Sequence, residues 1–320
     1  MLRLIGKKIL TVIPVLLLVS FLTYVMLDLL PGDPALQILG TGGATPEAIA
    51  AVRADLRLDD PLPVRYLGWL GDAVQGDLGR SYQTRQEVTD AIRERLPVTL
   101  EIAGVAVLMS LLIAIPIGVL SAYRAGTRLD RGITGATFGL LAIPNFMMAL
   151  ILIYTLSVRY GLFPATGWTR LTDDPWLNFK SVFMPSLALA LSTMAVLTRV
   201  LRTDMIATLQ EDHVLLAKAK GLSTARILFR HALRPSSFSL LTVVGIQVGA
   251  LLGGALIVEQ IFALPGLGRL IIDSVFQRDF MIVQGAVLLT SVIYVVVNAA
   301  VDVLYTFLDP RIRYGGTRNA

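Results

Sequence analysis

Six long stretches without a charged side chain punctuate the sequence: Ile9–Leu27, Ile102–Tyr123, Gly132–Val158, Ser181–Thr198, Pro235–Val258 and Phe280–Val301. Each reaches the ~18 residues a helix needs to cross a ~30 Å hydrocarbon core. A charge at mid-bilayer costs ~3 kcal/mol even on the mildest insertion scale, so such runs are the sharpest cue for spanning helices. The short alternating segments of a membrane β-barrel are missing. The pattern predicts an all-α integral membrane protein with six transmembrane helices, at about 9–30, 102–123, 132–158, 181–200, 236–258 and 280–302, forming a single transmembrane domain over residues 1–320. The first run follows Arg3, Lys7 and Lys8 like a signal peptide. It is longer than the usual h-region and is followed by Pro31-Gly32-Asp33-Pro34 rather than a small-x-small site, so it reads as an uncleaved anchor.

The segment 31–97 is too long for a simple connector and carries helix signals of its own. Thr45, Pro46 and Glu47 form an N-cap, a first helical position and a first-turn acid, with Ile49, Val52 and Leu56 on one face behind them. Tyr66, Leu67, Leu70 and Val74 make a second apolar stripe, and Val88, Ile92 and Leu96 a third. These helices either form a cap that receives a partner or lie on the membrane surface. The segment 199–234 reads as helix, turn, helix: Gly221 suits a C′ position with positive φ, and Ser223 suits the N-cap of the next helix.

Composition agrees with the pattern. The 320 residues are 55% hydrophobic and only 16% charged, against ~25% charged in ordinary soluble domains. Mean hydropathy is +0.70. Disorder, collagen-like repeats and a disulfide scaffold are excluded by high hydrophobicity, aperiodic glycine and the absence of cysteine. The net charge of +5 becomes informative only when it is placed along the chain. With both termini cytoplasmic, the inner pieces 1–8, 124–131, 199–234 and the tail from Asp302 hold 16 of the 28 Lys and Arg and six of the 23 acids. That asymmetry follows the positive-inside rule. It also accounts for the basic residues without nucleic acid, since they lack interleaved aromatics.

Within the spans, Gly245, Gly249 and Gly253 recur every four residues, and Gly135 and Gly139 do so more briefly, making faces along which another helix can approach closely. Pro14, Pro116 and Pro144 mark kinks or hinges. Pro144-Asn145 places an amide near the middle of the third span, where it needs a partner helix or faces a wet pathway. Asp28, Glu101 and Asp302 sit at span ends, with Asp302 expected to pair with Arg311 or Arg313; no acid sits near a midplane. A proton- or sodium-coupled pump normally needs one there, so the energy has to come from elsewhere. The chain has no Walker A loop, no H-E-x-x-H and no G-x-S-x-G, and its two histidines, His213 and His231, have no cysteine beside them. No catalytic, cofactor or metal site is therefore expected, and the chain reads as a non-enzyme.

Several ordered stretches carry a family resemblance: Leu29-Leu30-Pro31-Gly32-Asp33-Pro34, Gly76-Asp77-Leu78-Gly79-Arg80-Ser81, Arg95-Leu96-Pro97-Val98-Thr99-Leu100-Glu101, Ala217-Lys218-Ala219-Lys220-Gly221-Leu222-Ser223, Arg230-His231-Ala232-Leu233-Arg234, Leu264-Pro265-Gly266-Leu267-Gly268-Arg269-Leu270 and Leu308-Asp309-Pro310-Arg311-Ile312-Arg313. Along nearly its whole length the chain resembles the B-type permease subunits of dipeptide and oligopeptide ABC importers, a family that also includes nickel and glutathione importers. The resemblance implies an ABC importer permease fold, with the loop 199–234 as a coupling loop against an ATPase. By position it carries over Ala217, Lys218, Ala219, Lys220 and Gly221. The motif's Glu and first Ala positions hold Leu215 and Leu216, leaving Glu211 or Asp212 as the acidic candidates.

The implied partners are a C-type permease in a heterodimer, two ATP-binding subunits and an extracytoplasmic substrate-binding protein docking on 31–97, in a bacterial inner membrane. A pathway without central charge suits peptides of varied side chain. Nickel would call for His or carboxylate ligands within the spans. The readings that compete are nickel or glutathione import by the same fold and, from another class, a self-contained channel or receptor.

Overall fold

In the computed structural model of the chain, residues 2–26, 33–43 and 45–308 are described. Asp28, residues 29–32 of the first motif, residues 309–313 of the last, and the expected pairing of Asp302 with Arg311 or Arg313 lie outside the described residues. Among those described, the chain is helical, with one isolated antiparallel bridge between Arg80 and Glu87. In chain order the helices are α1 (Leu2–Val25), α2 (Pro34–Gly43), α3 (Pro46–Asp55), α4 (Leu62–Val74), α5 (Val88–Tyr123), α6 (Arg128–Ala142) and α7 (Asn145–Leu152). They are followed by α8 (Pro175–Thr208), α9 (Asp212–Ala219), α10 (Thr224–Arg226), α11 (Leu233–Ile261), α12 (Leu267–Phe276) and α13 (Phe280–Leu308). The turns Ile153–Arg159 and Ile227–Ala232 are π-helical and continue α7 and α10.

Among the described residues, four helical stretches are long and apolar enough to cross a membrane: Val88–Tyr123, Pro175–Thr208, Thr224–Ile261 and Phe280–Val301. A fifth arises if the bent pair Arg128–Ala142 and Asn145–Arg159 is one span. The expected first span falls in α1, Leu2–Val25, of which Val12–Val25 is an apolar helix within the described residues.

Contacts divide the chain into two units, Met1–Thr99 with Pro265–Val295, and Leu100–Leu264 with Val296–Ala320. In the first unit, Thr45 caps α3 as its sequence signature requires, its hydroxyl accepting from the Ala48 amide at 3.2 Å. Arg53 on α3 pairs with Asp33 at 2.7 Å and Asp59 at 3.0 Å, holding the chain on either side of the helix. Tyr66 fastens α4 to α1: its hydroxyl lies 2.8 Å from Ser20 Oγ and donates to the Leu17 carbonyl at 3.2 Å, and its ring meets Phe21 edge-on. The expected stripe on α4 is therefore split. Tyr66 is buried, while Leu67 and Val74 are exposed together with Val64 on another face.

The third stripe is not a separate surface helix. Val88, Ile92 and Leu96 form the first turns of α5, a single 36-residue helix that passes through Pro97 and Pro116 without a break. They pack with Leu267, Leu270, Met281, Ile282 and Ala286 of α12 and α13. The motif around Pro97 is also bonded to the motif around Gly266, Thr99 Oγ1 accepting from the Leu267 amide at 2.8 Å where α12 begins. Ser81, at the end of the Gly76–Ser81 motif, accepts from the Thr84 and Gln83 amides at 2.8 and 3.2 Å. Its hydroxyl donates to the Asp279 carboxylate, which also accepts from the Ile282 amide in the first turn of α13. Burial pushes the Asp279 carboxyl above the usual carboxylate range, with these two bonds acting in the opposite direction.

In the second unit α8 is the central helix. Asp174 caps it, accepting from the Trp176 and Leu177 amides at 2.9 and 3.0 Å. Its buried face is rich in Ala, Ser and Thr, which lets neighbouring backbones come close. Ser110 of α5 donates to the Ala190 carbonyl at 3.1 Å, and Ser186 donates to the Ile102 carbonyl at 3.1 Å. Glu101, expected only as a span-end acid, accepts from Trp168 Nε1 at 2.9 Å and Asn178 Nδ2 at 2.7 Å, tying the loop before α8 to α5.

Candidate coupling and translocation site

Two features of the second unit hold the residues singled out in the sequence. The first is the elbow after α8. Glu211 is the N-cap residue of α9, its carboxylate 3.1 Å from His213 Nδ1, and Asp212 occupies the first turn. The helix ends as Gly221 allows. Gly221 has φ +73°, its amide donates to the Lys218 carbonyl at 3.0 Å, and the next amide, of Leu222, donates to the Ala217 carbonyl at 3.2 Å. This pair of bonds is a Schellman cap, and it requires the left-handed conformation that glycine adopts without steric cost. Val214 and Ala217 of α9, Leu222 and Ile227 pack on one another beside Leu209, so the elbow has a small core of its own. Ala217 therefore faces inward. Glu211, Asp212, Lys218, Ala219, Lys220 and Gly221 are exposed, and so are Leu215, Leu216 and Phe229. The knuckle presents the basic side chains of Lys218, Lys220 and Arg226 and three large apolar ones to whatever lies outside this chain.

The second feature is the break in the third apolar stretch, expected as one span with a kink. Helices α6 and α7 meet at 100°. Ile143 is extended (φ −92°, ψ 118°), as steric conflict with a following proline ring favours, and Pro144 caps α7. Asn145 opens α7, and its Nδ2 lies 3.1 Å from where a Cβ on Gly254 of α11 would stand. The amide thus packs against a neighbouring helix in this chain.

Of the glycine ridge, Gly245 is buried, with a built Cβ 2.9 Å from Val301. Gly253 is exposed with nothing within 4 Å of its Cβ position. Gly249 is half-buried. The second close approach of α11 is at Gly254, one residue beyond the periodic position. Gly135 and Gly139 are exposed, and a Cβ on either would meet nothing within 4 Å among the described residues.

Sequence reasoning missed the strongest polar cluster in this unit. Asp130, buried at 2% exposure, accepts from Arg202 Nε and Nη2 at 2.6 and 2.7 Å, from Ser121 Oγ at 2.6 Å and from the Gly126 amide at 2.9 Å. It joins α6, the end of α5 and α8 at the end of α8 nearest the elbow. Asp130 had been visible only as the single acid among three arginines of the segment 124–131.

Residues 114–314 match the family described as "Binding-protein-dependent transport system inner membrane component", and residues 1–103 match the N-terminal family "Binding-prot-dependent transport system membrane comp, N-term". The chain is 39% identical to the oligopeptide transport system permease protein AppB of Bacillus subtilis (strain 168), over 96% of this chain and 98% of that protein. It is 34% identical to the dipeptide transport system permease protein DppB of Escherichia coli (strain K12), over 98% and 99%. Among solved structures, an inward-facing conformation of the MetNI methionine ABC transporter superposes with a TM-score of 0.56 at 16% identity, covering 68% of this chain and 96% of that one, which shows a shared fold. With two family matches spanning its length and full-length relatives of this kind, the chain belongs to the family of inner-membrane components of binding-protein-dependent transport systems.

Proposed function

We propose that the chain is one of two permease subunits of an ATP-driven importer of di- and oligopeptides, with six spans, both termini cytoplasmic, and the segment 31–97 on the outer face of a bacterial inner membrane. A sister permease, two ATP-binding subunits and an extracytoplasmic binding protein complete the assembly. The names of the relatives AppB and DppB support the peptide class. The observation that carries the mechanism is the glycine-capped knuckle, with its internal core and its exposed Leu215, Leu216, Phe229, Lys218 and Lys220.

In this reading α9 docks in a groove of an ATP-binding subunit, with Glu211 and Asp212 at its leading end. The core of Val214, Ala217 and Ile227 makes the knuckle move as one body. Glu211 and Gln210 return backbone bonds to Thr208 and Ala207 at the end of α8, so displacement of α9 is passed to that helix. Helix α8 has 34 residues, about 51 Å at 1.5 Å per residue, and reaches from the knuckle to the opposite membrane face. The Asp130–Arg202 pair locks α6 to it. Rocking of this body opens and closes one half of an alternating-access pathway beside Pro144 and Asn145, where α6 and α7 are already bent apart. The glycines at 245, 249 and 253 belong to helix packing along that half.

Replacing Gly221 by Val tests the reading. A β-branched residue resists positive φ, so uptake of peptide and substrate-stimulated ATP hydrolysis by the assembled complex should both fall severely while the protein stays in the membrane. Unchanged uptake and hydrolysis would reject α9 as the coupling element.

A further inference from the structure

Within the first unit, α4 crosses α1 inside the apolar run of that helix. Tyr66 meets Leu17, Ser20, Phe21 and Tyr24, and Trp69 meets Tyr24, with the rings of Tyr24 and Tyr66 5.7 Å apart and those of Tyr24 and Trp69 5.6 Å apart between centroids. Leu17 and Ser20 lie eight and five residues before Val25, the end of α1, about 12 and 8 Å along the axis at 1.5 Å per residue. At this level no hydroxyl of the crossing depends on water. Those of Tyr66 and Ser20 are 2.8 Å apart, with the Leu17 carbonyl in reach of each at 3.2 and 3.0 Å, and Thr23 Oγ1 returns to the Val19 and Ser20 carbonyls at 2.9 and 3.0 Å. A hydrocarbon environment demands that polar groups be satisfied internally in this way.

The rest of α4 suits the same surroundings. At 3.6 residues per turn, Pro63, Val64, Leu67, Leu70, Gly71 and Val74 fall on one side of the helix, and none of them carries a charge or a hydrogen-bonding side chain. Val64 is 52%, Leu67 64% and Val74 81% exposed. The two charged residues of the helix, Arg65 and Asp72, stand on the far side of its axis. Leu17 and Phe21 of α1 touch Tyr66 and are themselves exposed, as are their neighbours Leu18 and Leu22. One apolar surface therefore runs from the expected first span onto α4.

We infer that α4 is an interfacial helix seated in the outer leaflet, with the stripe through Val64, Leu67 and Val74 against lipid acyl chains. Amphipathic helices of this kind bury their apolar face about 5–10 Å into the boundary between headgroups and acyl chains, the level at which Tyr66 crosses α1. Tyr24, Tyr66 and Trp69 supply the aromatic girdle that marks such a boundary. A soluble binding protein docks above the headgroups and does not reach this depth. The inference rests on the reading that α1 spans the membrane with its Val25 end outside. It makes the segment 31–97 a cap anchored in the bilayer by one of its own helices, so that its height above the membrane is fixed.

The chain contains no cysteine, so a single spin label can report on one chosen position. The assembled transporter, with partner subunits lacking accessible cysteine, is labelled at Leu67→Cys or Val74→Cys on α4, at Leu22→Cys on α1 or at Glu47→Cys on α3, and placed in phosphatidylcholine vesicles. Each label is probed by collision with oxygen, which dissolves among acyl chains, and with a polar nickel chelate, which does not. The oxygen-to-chelate collision ratio at Leu67 and Val74 should match that at Leu22 and exceed that at Glu47 at least ~10-fold. Val74 projects furthest from the fold, so its label keeps the test valid should Leu67→Cys disturb packing. A ratio at both α4 positions as low as at Glu47, with Leu22 in lipid, would put α4 in water and overturn the inference alone. Shielding of both from both probes would mean that protein, the sister permease or the binding protein, covers the stripe, and would equally overturn it. A low ratio at Leu22 as well would take α1 out of the membrane, and the reading of the first span would fall together with the inference.

Discussion

Single residues set the sharpest energetic demands. Asp130 accepts four hydrogen bonds, two of them from Arg202, and removing one member of such a pair strands the other charge. Arg202→Ala is expected to cost about 3 kcal/mol because it strands the buried Asp130 carboxylate, read as a lowered Tm in detergent, with Asp130→Ala costing less because the Arg202 it strands is 27% exposed and can reach solvent. A double variant that loses no more than Arg202→Ala alone supports the pairing; additive losses contradict it. Asp279 gives a pH signature of the opposite sign to an ordinary ion-paired acid. Its folded pKa is raised chiefly by burial, so the fold binds its proton more tightly than the unfolded chain does. Its contribution to stability is therefore fully present below the unfolded value and is lost as pH rises through the folded value. Asp279→Asn should flatten that part of the stability–pH curve while keeping an acceptor for Ser81 and for the Ile282 amide. An unchanged curve would show that Asp279 does not carry it.

Among helices, the contrast within α11 separates packing glycines from exposed ones. A Cβ on Gly245 meets Val301 at 2.9 Å, whereas one on Gly253 meets nothing within 4 Å. Gly245→Val should destabilise by about 1–3 kcal/mol through overpacking, and Gly253→Ala should leave Tm unchanged or slightly higher, since alanine is the better helix former. Equal Tm losses in the two would contradict this assignment of faces.

Local chemistry was legible in the sequence wherever it is decided within a few residues. The Thr45-Pro46 start of α3 and the Gly221 stop of α9 are both where their side chains and φ preferences place them. Features set by distant partners were not legible. Ser81 and Asp279 are 198 positions apart, and Leu67 and Val74 differ from Tyr66 only in what α1 happens to cover. The break at Ile143-Pro144 was anticipated as a kink. Its 100° size depends on how α7 packs against α8 and α11, which hydropathy does not encode.

For the whole molecule, the account makes this chain a passive half of a conduit whose motion is imposed at the knuckle. No ionisable residue lies near the middle of its charge-free runs to couple it to an ion gradient, and the family to which it belongs works with separate components. Substituting the exposed apolar pair, Leu215→Asp with Leu216→Asp, should release the ATP-binding subunits on purification without lowering Tm, because both side chains are exposed. Retention of those subunits would place the contact elsewhere.

The most direct measurement is trialanine accumulation in proteoliposomes, comparing this chain alone with the chain reconstituted beside its sister permease, the ATP-binding subunits and the binding protein. The account predicts uptake only in the complete assembly, only with ATP, and its loss with Gly221→Val. Peptide flux through this chain alone, or full ATP-driven uptake with Gly221→Val, would contradict it.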